Sequence, residues 1–333
     1  MLKRKLIYPV LAMASAVAVL VAGPVQASGH WQPKKPVEFI IMAGTGGGAD
    51  QIARLLQGLI EKKGLSSRPF IPINKPGGSG AEALRYMQDK AGDDHTVMMT
   101  LNSFYTTPII QSDLGVDPTA FTPIGLMAMD TFLLWVHTDR ADITDLDSYV
   151  AAVKAEGLDW KVGGTGSGQE DSVLTAMMEA QFGYEVTYIP FPGGGTVAKN
   201  LIGKQIDSTV NNPSEQMAFY QAGSPKPLVQ FTGDRMPAFP DVPTAKELGV
   251  NIEYYMQRSV NGPPGMSADA IAFYTDLFQQ LFDSKEWQDF CTSDGLTCDE
   301  MIKNEALGTF HANQYVAHQK LIEQVGASAI TGE

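Results

Sequence analysis

The chain has 333 residues and a formal net charge of −13, with 37 acidic residues against 24 basic ones. That acidity argues against nucleic acid or an anionic membrane surface as a partner, because both repel it. An anionic small molecule stays possible, since local N–H groups and not net charge set the potential of a buried site. Lys3, Arg4 and Lys5, the apolar run Leu6 to Ala22 and the small-residue exit Val25-Gln26-Ala27 form a secretory signal, with cleavage expected after Ala27. The run approaches the roughly 20 residues of a membrane span, but Pro9 interrupts it and the small-residue exit favours cleavage. No cysteine lies near the cleavage point, which removes the lipoprotein route. Cleavage takes three of the 24 bases and none of the 37 acids, leaving a mature charge of −16. A mature chain of about 300 residues exceeds what one core organises, so two lobes are expected.

Val37 to Met42 reads as a buried strand from its β-branched and apolar content. The glycine-rich loop Ala43 to Asp50 follows, then a helix with Ile52, Leu55, Leu56, Leu59 and Ile60 at helical spacing. Phe70 to Asn74 is a second strand, placed near a sheet edge by Pro72. Lys75 to Gly80 opens into a helix from Ala81 to about Lys90, and a third strand, Thr96 to Leu101, ends in Asn102-Ser103. Strand, helix, strand, helix, strand is the pattern of a parallel sheet covered by helices.

The pattern then restarts. Phe132 to Val136 reads as a strand and Leu146 to Ala155 as a helix. Trp160 to Gly163 leads into a second glycine loop, Gly163 to Gln169, with a helix from Ser172 to Phe182 behind it. Val186 to Pro190 opens into Phe191 to Thr196, a helix runs to about Gly203, and Ile206 to Val210 ends in Asn211-Asn212-Pro213. Pro227 to Thr232 closes the set, and from Ser267 the chain turns helical through Ile271, Phe273, Leu277, Leu281 and Phe282. A tail of that kind returns to the first lobe, so lobe 1 is expected over 28–128 plus 258–333 and lobe 2 over 129–257, with crossings near Met129 and Gln257. Cys291 and Cys298 enclose an Asp-Gly turn; in an oxidising compartment a local disulfide is expected, and no nearby histidine supports a metal site.

Five stretches carry a resemblance to a known family. They are Gly44 to Asp50 with Ile52-Ala53-Arg54, then Asn74-Lys75-Pro76-Gly77-Gly78-Ser79-Gly80, and Phe121-Thr122-Pro123-Ile124-Gly125. Ile189-Pro190-Phe191-Pro192-Gly193-Gly194 and Pro240-Asp241-Val242-Pro243-Thr244-Ala245-Lys246-Glu247-Leu248-Gly249 complete the set. In this order they resemble the solute-binding receptors of tripartite tricarboxylate transporters, the Bug family, from about Pro36 to Met266. The chain departs from the family at Asp93-Asp94-His95-Thr96, where a turn glycine is usual, and at Pro192, where a basic residue is usual. The resemblance implies an α/β, type II periplasmic binding-protein fold: two βα lobes with a ligand cleft between them. It also implies a membrane transporter with one large and one small subunit.

Each glycine loop links a strand to a helix N-terminus, where unpaired N–H groups and the helix dipole favour an anion. Gly44, Thr45, Gly46, Gly47, Gly48 and Asp50 form the first expected site, and Gly164, Thr165, Gly166 and Ser167 the second. Gly194, Gly195 and Thr196 form a third N–H-rich helix start. Asn102, Ser103 and Asn211 stand at strand C-terminal ends, where open α/β sheets place ligands. Arg258 is expected to pair with a second carboxylate, or else to serve as a hinge salt bridge. Phe104, Trp135 and Phe191 are candidates for an aromatic wall, or for core. A charged acceptor gains roughly 1.5–3 kcal/mol per hydrogen bond, so three or four such bonds reach the roughly −8 kcal/mol of a micromolar binder.

Gly44, Gly46 and Ala49 also fit the Gly-x-Gly-x-x-Ala dinucleotide fingerprint, but Asn74 and Lys75 stand where an acid should hold the ribose. His30, His95, His137, His311 and His318 are scattered, and neither Ser79 nor Ser167 lies in a Gly-x-Ser-x-Gly elbow. The expectation is therefore a monomeric periplasmic solute-binding protein for a di-, tri- or aromatic carboxylate, with no cofactor, no metal and no catalytic residue. The rival is an exported hydrolase or dinucleotide enzyme using the same loops. The sequence leaves open which carboxylate is bound and whether a sensor kinase is served.

Overall fold

The computed structural model describes residues 31–331, so the cleavage expected after Ala27 lies outside the described residues. The first half alternates as the apolar runs predict: β1 (Val37–Ile41), α1 (Gly48–Lys63), β2 (Phe70–Asn74), α2 (Ala81–Asp89), β3 (Thr96–Met99) and α3 (Ser103–Ile110). α3 has no counterpart in the sequence reading, because it carries Pro108 and two threonines and is buried on every side through its first six residues. β4 (Thr122–Asp130) then crosses to β5 (Leu133–Val136). The second half runs α4 (Leu146–Glu156), β6 (Lys161–Thr165), α5 (Glu170–Phe182), β7 (Thr187–Phe191), α6 (Gly194–Ile202), β8 (Ser208–Thr209), α7 (Pro213–Gln221) and β9 (Lys226–Gln230). β10 (Met256–Gly262) returns, followed by α8 (Ala268–Phe282), α9 (Lys285–Asp294), β11 (Ile302–Lys303), α10 (Asn304–Val325) and α11 (Ala327–Thr331).

Two sheets result. The first has the order β11-β4-β10-β3-β1-β2 and the second β7-β6-β8-β5-β9. β1, β2 and β3 are parallel, as are β6, β7 and β8. β2 lies at its sheet edge, where Pro72 costs no ladder bond. β10 is antiparallel to both β3 and β4, so the outgoing and returning strands of the crossing lie side by side. The chain enters the second sheet between Asp130 and Leu133 and leaves it between Gln230 and Met256. α8 and α10 pack on β4, while α10 and α11 also reach α5 beside the second sheet.

Capping explains several helix boundaries. Asp145 and Ser148 form a reciprocal capping box at α4, and the hydroxyls of Ser267 and Ser284 cap α8 and α9. Phe104 and Trp135 are fully buried core, not a pocket wall; Trp135 Nε1 donates to the Asn211 carbonyl at 3.0 Å. Phe191 is half-buried and packs against the second hydrophobic cluster with Val197 and Ile206.

Cys291 and Cys298 are joined in a disulfide. The loop they close is pinned to the crossing: Thr297 exchanges both backbone hydrogen bonds with Met129, each 2.9 Å, and Thr131 Oγ1 donates to the Gly295 carbonyl at 3.3 Å. Closing so short a loop restricts the unfolded chain by about 2–3 kcal/mol in the chain-entropy account. Replacing both cysteines by serine should therefore lower the melting temperature by a few degrees. Calorimetry on the double variant checks this, and an unchanged melting temperature rejects the stapling role.

Candidate functional site

The C-terminal ends of β1, β3, β6, β7 and β8 converge where α1, α3, α5, α6 and α7 begin, the position at which open α/β sheets hold ligands. Residues from both halves enclose a cavity of about 20 Å³ there. Gly47 and Gly48 line it from the start of α1, Thr165 from the end of β6, Gln169 from the loop after it, and Gly194 from α6. Asn212 and Glu215 come from the start of α7, Met256 and Arg258 from β10. That volume accommodates about one water molecule.

Arg258 is the organising cation. It is 1% exposed, and its Nε and Nη2 both donate to Asp130 Oδ2 at the end of β4. Nη2 also donates to Asn212 Oδ1 at 3.2 Å, while Nη1 is buried with no hydrogen-bond partner. Burial raises the Asp130 carboxyl, and the guanidinium opposes that rise. The pair spans the two crossing strands, β4 and β10, and the same arginine lines the cavity.

The N–H groups expected to hold a solute are largely engaged by the protein's own acceptors. Gly46 N donates to Asp50 Oδ2 at 2.9 Å and Gly48 N to Glu215 Oε1 at 2.9 Å. Thr165 N donates to Asp171 Oδ2 at 2.8 Å, and Ser103 N to Glu170 Oε1. Gly47, Gly166 and Thr196 donate to the carbonyls of Gly44, Phe191 and Gly193. Two of these contacts cross the seam: Glu215 of α7 caps α1, and Glu170 of α5 caps α3. Burial raises all three second-half carboxyls. For Asp171 the charge of Glu215 adds to the rise; Glu215 itself reaches about 7, held down by Gly48 N–H and Arg258. Glu215 Oε2 and Glu170 Oε2 are buried without partners.

The glycines also permit close approach between the two halves. A Cβ on Gly44 would stand 2.3 Å from the Pro192 carbonyl oxygen, and one on Gly195 2.6 Å from the Gly46 carbonyl oxygen. The two loops thus meet backbone to backbone, which side chains would prevent. Gly48 leaves space for the Arg258 guanidinium, 2.6 Å from its Cβ position, and Gly164 leaves space for the Tyr188 hydroxyl at 2.3 Å.

Of the expected site residues, the fold gathers Gly47, Gly48, Thr165, Gly194 and Arg258 around one cavity. Thr45 and Gly46 are exposed at the rim. The Asp50 carboxylate organises the first loop through Gly46 N, Arg54 Nε and Asn74 Nδ2. Asn102 ties the start of α3 to the start of β10 through the Tyr255 carbonyl at 2.7 Å and Gln257 N at 3.0 Å. Asn211 donates to the Gly194 carbonyl at 3.1 Å, so it supports α6. Gly166 and Ser167 pack against Ser79, whose Oγ donates to the Ser167 carbonyl at 2.6 Å. Asp130, Gln169, Glu170, Asp171, Asn212 and Glu215 were not anticipated. Acids in a first helical turn complement the dipole, and nothing local distinguishes a solvated one from one buried against another helix.

A family model described as the tripartite tricarboxylate transporter family receptor matches residues 52–327. The Cupriavidus necator UPF0065 protein of the gbd 5′ region is 25% identical over 95% of this chain and 95% of its own length. The solved periplasmic binding protein BugD is 21% identical and superposes with a TM-score of 0.82 over 89% of this chain and 99% of its own. MatC of Rhodopseudomonas palustris, solved with bound malate, is 20% identical with a TM-score of 0.79, over 87% and 99%. These likenesses fix the two-lobed type II binding-protein fold, and with the match across residues 52–327 the chain belongs to the receptor family of the tripartite tricarboxylate transporters.

Proposed function

We propose that this chain captures a small carboxylate in the periplasm and delivers it to a membrane transporter of one large and one small subunit. The observation that carries this reading is Arg258, a buried guanidinium oriented by Asp130, with Nη1 unpartnered beside a cavity at the N-termini of α1, α6 and α7. Such a group recognises a carboxylate with a directed, charge-assisted hydrogen bond. Malate in MatC and adipate in another R. palustris protein of this fold support the same class. The chain acts as a monomeric binder that leaves its solute chemically unchanged, exported with cleavage after Ala27.

The lobes, 28–128 plus 258–333 and 129–257, turn on β4 and β10. A cavity of about 20 Å³ is too small for a dicarboxylate, so the solute enters as the seam parts and the lobes close again upon it. Closure draws lobe 2 onto two helix N-termini of lobe 1 through Glu215 and Glu170.

A calorimetric panel of di- and tricarboxylates, aromatic acids and amino acids on the mature protein tests this function. At least one should bind with a micromolar constant, roughly −8 kcal/mol; silence throughout rejects it. Gly44→Ala puts a Cβ 2.3 Å from the Pro192 carbonyl oxygen, and should weaken that solute about tenfold or more, ~1.4 kcal/mol, with circular dichroism unchanged. Gly58→Ala, with nothing within 4 Å, is the control; equal affinities in the two variants would remove the seam from the mechanism.

The acids make stability fall toward alkaline pH. Glu215 titrates near 7 folded against 4.5 as an ordinary glutamate, so folding takes up a proton between those values and stability is lost as pH rises through them. Asp130, Glu170 and Asp171 act in the same direction. The Glu215 share at pH 8 is on the order of 3 kcal/mol. The melting temperature should drop by several degrees from pH 5 to 8, and Glu215→Gln should raise it at pH 8 and flatten the profile. A wild-type curve that climbs across this range contradicts the burial of these carboxyls.

A further inference from the structure

We propose that a second site, on the face of the crossing away from the cleft, binds a small organic amine with an apolar body. A cavity of about 280 Å³ opens there between the crossing and α10, close to the roughly 300 Å³ at which small-molecule sites begin. Met129 lines it from β4, Tyr254 and Tyr255 from the segment entering β10, and Ala317, His318 and Leu321 from α10. Successive side chains of a strand point to opposite faces. Met129 therefore faces this cavity while Asp130, next to it, turns to Arg258. Among the described residues, none lines both this cavity and the one in the cleft. The site stands on its own, whether or not the cleft holds the solute.

The walls select the polarity of the ligand. Met129, Ala317 and Leu321 give apolar surface, and Tyr254 and Tyr255 add aromatic rings, whose faces attract a cation. Among the described lining residues Glu253 is the one acid, and no lysine or arginine stands with it. Its carboxylate lies beside the Tyr255 hydroxyl: burial raises that hydroxyl, and the Glu253 charge adds to the rise. His318 supplies a second acceptor. Its Nδ1 is 2.7 Å from the Gln314 carbonyl, which can only accept, so Nδ1 carries the proton. Burial lowers the pKa of this imidazole against the opposing pull of the Gln314 carbonyl, so the ring is neutral at neutral pH. Nε2 is then an acceptor, 3.5 Å from Tyr254 Oη. A carboxylate would meet Glu253 with like charge. A protonated amine on an aryl or alkyl body meets acceptors, ring faces and apolar surface together.

Calorimetry on the mature protein at neutral pH compares phenethylamine with phenethyl alcohol, which has the same body and no charge. The amine should bind saturably and at least about tenfold tighter than the alcohol, ~1.4 kcal/mol. Glu253→Gln should bring the two affinities close together. Ala317→Trp, which sets an indole in the cavity wall, should weaken the amine by a similar factor. Both variants are verified as folded by their melting temperatures. In wild-type protein with carbon-13 methionine methyls, the amine should shift the Met129 signal, assigned through Met129→Leu. Equal affinities for amine and alcohol overturn the proposal, as does the absence of saturable binding or an amine that leaves the Met129 signal in place. None of these results bears on carboxylate binding in the cleft, so the two readings fail separately.

Discussion

The pairing of Arg258 with Asp130 is the constraint on which the rest of the cleft depends. Both groups are almost wholly removed from water, at 1% and 0% side-chain exposure, and neither tolerates that burial alone. Loss of one partner from such a pair costs about 3–5 kcal/mol, because the other is left charged in a poor dielectric. The pair also joins the strand that leaves the first sheet to the strand that returns to it. One interaction therefore joins the two crossing strands and fixes the guanidinium beside the cavity.

Around that cation the protein stations its own carboxylates on helix N-termini. Helix starts attract anions, and in this cleft Glu215 and Glu170 satisfy the attraction across the seam. The same contacts that join the two halves thus engage N–H groups at the starts of α1 and α3. What the seam leaves unpartnered among the residues lining its cavity is side-chain polarity: Arg258 Nη1 and Glu215 Oε2.

The glycine loops contribute closeness. Gly44 faces Pro192 and Gly193, and Gly195 faces Gly46, at distances a Cβ would forbid. The lobes meet through backbone, and a small change in their approach changes the volume they enclose. The disulfide-closed loop is held at the crossing, its Thr297 hydrogen-bonded to Met129 next to Asp130.

Much of the fold was legible in the chain because its causes are local. Val37 to Met42 is β-branched and apolar, Ile52 to Ile60 repeats at helical spacing, and each glycine cluster ends a strand and begins a helix. Those patterns determine an α/β protein of alternating strands and helices whose loops collect at one end. β10 was not legible: Gln257, Arg258, Ser259 and Asn261 give no apolar alternation, yet all are buried, because Thr100, Asn102, Asp130 and His311 satisfy them. The cleft's chemistry was hidden for the same reason. Gly48 and Glu215 are 167 residues apart, Asp130 and Arg258 are 128 apart, and Ser103 and Glu170 are 67 apart. The sequence by itself determined where N–H groups would be presented. Only the tertiary structure decided which of them meet the protein's own acids, because burial and charge pairing depend on groups brought together by the closed chain.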